Sequence, residues 1–175
     1  MFIEQPRRWC WALFPLIFML TSCGGGDDGP ASPKWDRDTC ERCRMVLSDP
    51  NYAAQVRYLP EGKKHPRILW FDDVGCATLW LEDKPWKDAE TTSIWVNDHR
   101  NGQWINARTA HYVKMNNTPM AYGLGAQTEA APGSLDFVGA IAQVKEIEEK
   151  NNLRSQGLIE QFKQQAHERS HPHPN

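Results

Sequence analysis

The fold prediction rests on the stretch ILWFDDVGC, residues 68–76. Its first four residues form a fully apolar run, which is typical of a buried central strand. Asp72 or Asp73 then supplies the N-cap of a helix that we expect to reach about Glu82, because an aspartate side chain accepts hydrogen bonds from the free N–H groups of a first helical turn. Cys76 falls inside this helix, where a cysteine is more often a small buried apolar residue than a ligand.

Strand-like segments lie on both sides of this stretch. Upstream, residues 54–58 alternate between apolar and polar side chains as a half-buried strand does, and residues 45–47 form a shorter apolar run before them. Downstream, residues 93–98 predict another strand. Residues 44–98 therefore predict a ββαβ unit, which forms most of a first unit over residues 36–98.

A second unit is predicted over residues 99–150. It begins with short strands at residues 104–106 and 111–113, followed by a glycine-rich loop and strand at residues 118–126. An amphipathic helix then follows over residues 135–150, with Ser134 as its N-cap. The predicted class is α+β, with two small ββαβ-type units packed together. Residues 151–175 predict a polar C-terminal helix that frays into a disordered tail.

The N-terminus has the features of a lipoprotein signal peptide, residues 1–22. The basic pair Arg7 and Arg8 precedes an apolar run, which ends in the lipobox-like sequence LTSC with Cys23 as the lipidated residue. Residues 23–35 are a lipid anchor and a Gly-rich flexible linker. We therefore expect an exported bacterial lipoprotein that is tethered to the outer membrane and faces the periplasm. Ordinary secretion, with Cys23 incidental, is the alternative.

Composition excludes some classes of function. The chain has 175 residues, 40% hydrophobic and 24% charged, as in ordinary soluble proteins. A net charge of -2 without a basic stripe gives no reason to expect a nucleic-acid partner. No Ser-His-Asp pattern, phosphate-binding glycine loop or paired-carboxylate motif is present, so the sequence predicts a protein that is not an enzyme.

The chemistry is concentrated in the sequence CERCRM, residues 40–45. Cys43 and Met45 are two residues apart, so in an extended segment both side chains point to one face. Thiolate and thioether are soft ligands, which select Cu(I) over hard cations. A redox disulfide between Cys40 and Cys43, half of a zinc site, and two unrelated cysteines are the alternatives. Imidazole also binds copper, so His99 and His111 are further possible ligands.

Beyond this motif, the sequence resembles the NosL family of exported copper lipoproteins. The resemblance is carried by residues 40–45 and by further segments along the chain: residues 53–56, 69–74, 94–98, 104–108 with 111–113, and 118–120. It implies two ββαβ-type units, Cu(I) binding, and a part in supplying copper to nitrous oxide reductase.

The resemblance also implies roles for single residues. Cys43 and Met45 match the copper-binding pair of the family, Cys40 matches its companion cysteine, and Met120 matches a more distant methionine ligand. The family usually has glycine where this chain has Arg44, so Arg44 either adopts a positive φ at an energetic cost or the loop differs.

The functional prediction is a membrane-tethered periplasmic Cu(I) metallochaperone. Its expected partners are the membrane, through the lipid anchor, and an acceptor copper enzyme such as nitrous oxide reductase or the assembly machinery of that enzyme. Two alternatives remain open. One is a thiol-disulfide oxidoreductase acting through Cys40 and Cys43, and the other is a structural lipoprotein in which the same two cysteines form a disulfide.

Overall fold

The computed structural model describes residues 29–115 and 117–170. In chain order its elements are β1 (Ala54–Tyr58), β2 (Arg67–Phe71), α1 (Val74–Glu82), β3 (Ser93–Asn97), β4 (Trp104–Asn106), β5 (His111–Lys114), β6 (Leu124–Gln127) and α2 (Phe137–Ser170). The predicted signal peptide, the predicted lipidation site Cys23 and the first part of the linker lie outside the described residues.

The first sheet has the strand order β2-β1-β3-β4, and every pairing in it is antiparallel. Its register places Val56 of β1 opposite Leu69 of β2 on one side and Ile94 of β3 on the other. Helix α1 packs against β1 and β2 and buries Ala77 and Leu81. These apolar side chains belong to one continuous core, and burial of apolar surface is the main force that holds the sheet and helix together.

Helix α1 begins directly after β2, as the sequence predicted. Asp73 is the N-cap, and its Oδ1 accepts a hydrogen bond of 2.9 Å from the backbone N–H of Gly75. The sequence left Asp72 and Asp73 as equal candidates for this role. Because Asp73 caps the helix, the carboxylate of Asp72 is available for another function.

The second sheet is the antiparallel pair β5–β6, which packs against α2. Tyr112 of β5 is fully buried, and its ring lies 6.3 Å from that of Phe137 at the start of α2. A parallel bridge between Asp98 and Ala126 connects the end of β3 to β6. The α+β class is therefore confirmed, with two small antiparallel sheets and two helices in the described residues.

The strands are divided between the sheets differently from the prediction. Strand β4 was expected to open the second unit, but it pairs with β3 and extends the first sheet. The second sheet is thus a hairpin followed by a helix, and no strand follows α2 within the described residues. Strand β4 follows β3 after a short turn, in which the amide of Asn97 donates a hydrogen bond of 2.8 Å to the carbonyl of Gly102, and such a turn favours antiparallel pairing with the neighbour.

The described part of the linker belongs to the folded domain. The backbone N–H of Ala31 donates to Gln55 Oε1 at 3.1 Å, and Gln55 Nε2 donates back to the Ala31 carbonyl at 3.0 Å. Trp35 packs against the core. The predicted linker over residues 23–35 therefore overestimates the flexible length, because its last residues satisfy a buried glutamine on β1.

Beyond residue 150, helix α2 continues without interruption through the segment for which the sequence predicted a polar, fraying helix. It reaches Ser170, and the side chains described beyond residue 150 are exposed. The segment is rich in good helix formers, and ion pairs one turn apart support it, such as Lys163 with Glu160 at 2.8 Å. No helix among residues 29–115 and 117–170 combines the length and apolar character needed to cross a membrane.

The predicted strand at residues 45–47 is a single antiparallel bridge between Thr39 and Val46. The intervening residues form a tight turn, in which the Cys40 N–H donates to the Met45 carbonyl at 2.8 Å and Arg44 has a φ of 66°. Of the two outcomes expected for Arg44, the structure therefore shows the first: Arg44 adopts the left-handed conformation. For an L-residue this conformation costs about 1–2 kcal/mol.

Replacing Arg44 with glycine is expected to stabilise the protein by up to about 1 kcal/mol. The gain is the relief of the left-handed strain, reduced by the extra freedom of glycine in the unfolded chain. Equilibrium urea unfolding measures the change through the midpoint. The matched control is Arg44→Ala, which also removes the exposed ion pair with Glu41 but keeps a Cβ atom. Equal midpoints for the glycine and alanine variants would contradict the strain argument.

Candidate metal centre

The loop that carries Cys40 and Cys43 lies against the end of β2. The N–H of Glu41 donates to the carbonyl of Trp70 at 2.8 Å, and the N–H of Arg44 donates to the carbonyl of Cys40 at 3.0 Å. These backbone bonds close a compact turn and fix its position on the sheet. The turn directs Cys40 into the core, where it is fully buried, and leaves Cys43 half-buried.

Two further ligand groups come from the junction of β2 and α1. Asp72 follows the last residue of β2, and Cys76 lies in the first turn of α1. One ligand atom from each of Cys40, Cys43, Asp72 and Cys76 lies within 4.8 Å of the others. Three sulfur atoms and one carboxylate therefore form a cluster that can hold a metal ion.

Cys40 is the thiol in this cluster that ionises most readily. A hydrogen bond from the Cys76 thiol is the largest cause, and together with the backbone N–H groups of Cys43 and Asp72 it outweighs burial and lowers the pKa of Cys40 to about 6. The Cys43 N–H lies 3.5 Å from the Cys40 sulfur. Cys40 is therefore a thiolate at neutral pH, which is the form that binds metals.

The other two cysteines keep their protons at neutral pH. Burial is the main cause that raises the pKa of Cys43 to about 12, and its hydrogen bonds to Cys40 and Asp72 raise it further. The hydrogen bond to Cys40, followed by burial, raises the pKa of Cys76 well above the normal range. The cluster without metal thus carries one thiolate, to which the neighbouring thiols act as donors.

Asp72 has an incomplete set of partners. Its Oδ2 accepts a hydrogen bond of 3.3 Å from the Cys43 thiol, but its Oδ1 is buried and has no hydrogen-bond partner in the described residues. A buried carboxylate oxygen without a partner is costly, and a cation bound at this oxygen would remove that cost. This oxygen and the three sulfurs fit a metal ion, and the predominance of sulfur favours a soft ion such as Cu(I) or one that accepts thiolates such as Zn(II).

The two predicted methionine ligands lie beside the cluster. Met45 is 51% exposed and lines an open groove of about 390 Å³ together with Asp72, Thr118 and Pro119. Met120 packs against the core, and its N–H lies 3.5 Å from Oδ2 of Asp73. The loop that contains Met120 therefore lies beside Asp73 and shares the groove with Met45 through Thr118 and Pro119. Coordination of copper by either methionine remains a prediction.

The two histidines considered from the sequence lie beside Gln127 of the second sheet: His111 is the first residue of β5, and His99 is in the turn between β3 and β4. His99 Nε2 lies 3.2 Å from Oε1 of Gln127, and His111 is paired with Gln127 in the register of β5 and β6. Neither histidine is in the group of Cys40, Cys43, Asp72 and Cys76.

Sequence reasoning missed Asp72 and Cys76 as site residues. It treated Asp72 as a possible helix cap and Cys76 as a core residue, and Cys76 is indeed fully buried. The signal in the sequence was the spacing of Asp72 and Cys76, because a residue just before a helix and one in its first turn lie on the same side of that helix. The structure adds that the strand leading into the helix lies beside the loop of Cys40.

Comparison with known proteins identifies the family. The NosL family matches residues 33–150, which include all four residues of the cluster and both predicted methionine ligands. Neither the curated proteins nor the solved structures contain a match. The cluster of three cysteines and an aspartate fits the copper binding that is characteristic of the family. Since the match covers more than half of the chain, the protein belongs to the NosL family.

Proposed function

We propose that the protein binds one Cu(I) ion at this cluster and delivers it to an acceptor copper enzyme, nitrous oxide reductase or its assembly machinery. The observation that carries the proposal is the group of three sulfurs and one carboxylate within 4.8 Å, next to an open groove. We propose Cys40 and Cys43 as the thiolate ligands and Met45 as the exposed thioether ligand. Met120 is the proposed further ligand from the second part of the domain.

The arrangement suits transfer because burial differs between the ligands. Cys40 is held inside the protein, whereas Cys43 is half-buried and Met45 is exposed on the groove. A ligand from an acceptor can approach through this groove and replace the outer sulfur ligands one at a time. Met45 suits this role because a thioether needs no deprotonation and cannot form a disulfide.

The oxidoreductase alternative is less well supported by the geometry. A low thiol pKa is typical of redox cysteines, and Cys40 has one, but its sulfur is fully buried and cannot attack the disulfide of a protein substrate. The motif also lies in a turn and not at the start of a helix. We therefore assign the low pKa of Cys40 to metal binding.

We further propose that the lipid on Cys23 keeps the domain at the outer membrane, on its periplasmic side. This location would place copper near an acceptor in the same compartment. The compartment is oxidising, so a bound metal would also protect the cysteines from forming a disulfide.

Metal choice tests the proposed function. Reduced protein, handled anaerobically, is expected to bind about one Cu(I) per chain and to hold it against a chelator more tightly than it holds Zn(II), because two thiolates and a thioether favour the softer ion. Competition titrations with a Cu(I) chelator and a Zn(II) chelator measure both affinities. Ser48→Ala is the matched control, since Ser48 lines the same groove without offering sulfur. Zinc binding as strong as copper binding would contradict the proposal.

A further inference from the structure

The side chain of Arg42 points from the cysteine loop into the domain. Its Nη1 donates a hydrogen bond of 3.1 Å to the hydroxyl of Tyr122, and its Nη2 forms an ion pair with Glu148 of α2. The Tyr122 hydroxyl donates to the other carboxylate oxygen of Glu148 at 2.9 Å. The cysteine loop, the segment just before β6 and helix α2 are therefore joined at the guanidinium group of Arg42.

Tyr122 is held firmly in its place. It is 1% exposed, and its ring packs directly on Gly75, where an added Cβ atom would lie 2.2 Å from Tyr122 Cδ2. Its carbonyl accepts a hydrogen bond of 3.1 Å from Gln143 of α2. Because Gly75 immediately precedes Cys76, the close approach of the ring brings the whole network next to the metal cluster.

The network meets the cluster at two points. Cys76 follows Gly75 in the first turn of α1, and its sulfur lies within 4.8 Å of those of Cys40 and Cys43. Arg42 itself lies between Cys40 and Cys43 in the loop. The contacts of Arg42 with Tyr122 and Glu148 therefore hold the cysteine loop against the helical turn that carries the third sulfur.

The other arginine of the loop has no comparable anchor. Arg44 is exposed and pairs with Glu41 of the same loop at 3.5 Å. Arg42 instead joins the loop to α2 through its ion pair with Glu148. Arg42 is thus the arginine that fixes the cysteine loop on the rest of the domain.

We propose that Arg42 is the positioning residue of the copper site, which fixes the loop of Cys40 and Cys43 in place through its contacts with Tyr122 and Glu148. The inference rests on the proposed copper function. Arginine suits the role because its planar group offers five donors in a fixed arrangement. Tyr122 and Glu148 engage two of its nitrogens at once, which fixes the direction of the side chain and of the loop that carries it.

Cu(I) competition titration of the mature protein, reduced and anaerobic, tests this role. Arg42→Gln is expected to weaken Cu(I) binding by about 10- to 100-fold, as is usual when a partner of a metal ligand is lost. Arg42→Lys should restore part of the affinity, because the charge remains while the fixed fork is lost. Arg44→Gln is the matched control from the same loop and should bind copper as the parent does.

Urea unfolding of the metal-free variants separates positioning from a merely structural role. If Arg42→Gln loses stability but binds copper as tightly as the parent, Arg42 only supports the fold and the inference is overturned. If Arg42→Gln does not fold, Glu148→Gln tests the same network of contacts, since it keeps the arginine but releases one of its anchors. A parent protein that binds no Cu(I) would overturn the proposed function and this inference together, whereas tight parental binding that is unchanged in both variants would overturn this inference alone.

Discussion

Cys40→Ser is expected to weaken Cu(I) binding at pH 7 by at least about 1,000-fold, or about 4 kcal/mol, and to weaken it more than Cys43→Ser does. Cys40 is the thiolate that exists before metal arrives, stabilised by Cys76 and by two backbone N–H groups. Serine has a similar shape but remains a protonated hydroxyl at this pH. The substitution therefore removes the negative charge around which the site is built.

The order of the two effects is the informative result. The family resemblance makes Cys43 the primary ligand and Cys40 its companion, whereas the burial and ionisation of the three thiols make Cys40 the centre of the cluster. Competition with a Cu(I) chelator under anaerobic conditions measures both variants. Urea unfolding in parallel shows that each is folded. Near-parental affinity for Cys40→Ser with a large loss for Cys43→Ser would restore the order implied by the family.

The sequence predicted the first part of the fold well because its signals are local. The apolar run before Asp72, the helix cap and the alternating strand over Ala54–Tyr58 each depend on neighbours in the chain, and all three elements lie where they were expected. Strand β4 was placed in the second unit, whereas it pairs with β3, because a three-residue strand carries no pattern that identifies its partner. That choice depends on a turn and on tertiary packing.

Two of the four residues of the candidate metal cluster, Cys40 and Cys43, were named from the sequence. The motif of Cys40, Cys43 and Met45 is visible as a spacing, and a spacing of three residues requires no knowledge of the fold. Cys76 lies 36 positions after Cys40, and only the pairing of the cysteine loop with the end of β2 brings the two sulfurs together. A cysteine on the apolar face of a helix has the same sequence pattern whether it fills the core or contacts a ligand.

The C-terminal helix shows another limit of local reasoning. The side chains on the apolar face of α2 are buried only up to near residue 150, which is also where the family match ends. The prediction ended the amphipathic helix there and expected a fraying polar helix beyond it, whereas α2 is continuous to Ser170. Helix formers and ion pairs continue the backbone structure to Ser170, because intrinsic propensity and packing are separate contributions.

Cu(I) affinity is expected to rise about tenfold for each pH unit between about pH 7 and 9. In this range Cys40 is already a thiolate, since its pKa is about 6, while Cys43 is protonated, since its pKa is about 12. Binding of copper by both sulfurs therefore releases one proton, from Cys43, and a higher pH favours the bound state. Below about pH 6 Cys40 is protonated as well, and the dependence should steepen to about a hundredfold per unit.

Chelator competition at several pH values, with the pH dependence of the chelator itself taken into account, measures this slope. Cys43→Ser should bind more weakly and lose the dependence between about pH 7 and 9, because no ligand proton remains to be released. Met45→Leu is the matched control: it also weakens binding, but a thioether carries no proton, so its slope should equal that of the parent. A hundredfold rise in the affinity of the parent per pH unit between about pH 7 and 9 would mean that two protons are released. Cys76 would then also give up its proton and bind copper as a third thiolate. An affinity of the parent that does not change with pH in this range would mean that Cys43 does not bind the metal as a thiolate. Cys40 would then hold copper with uncharged partners alone.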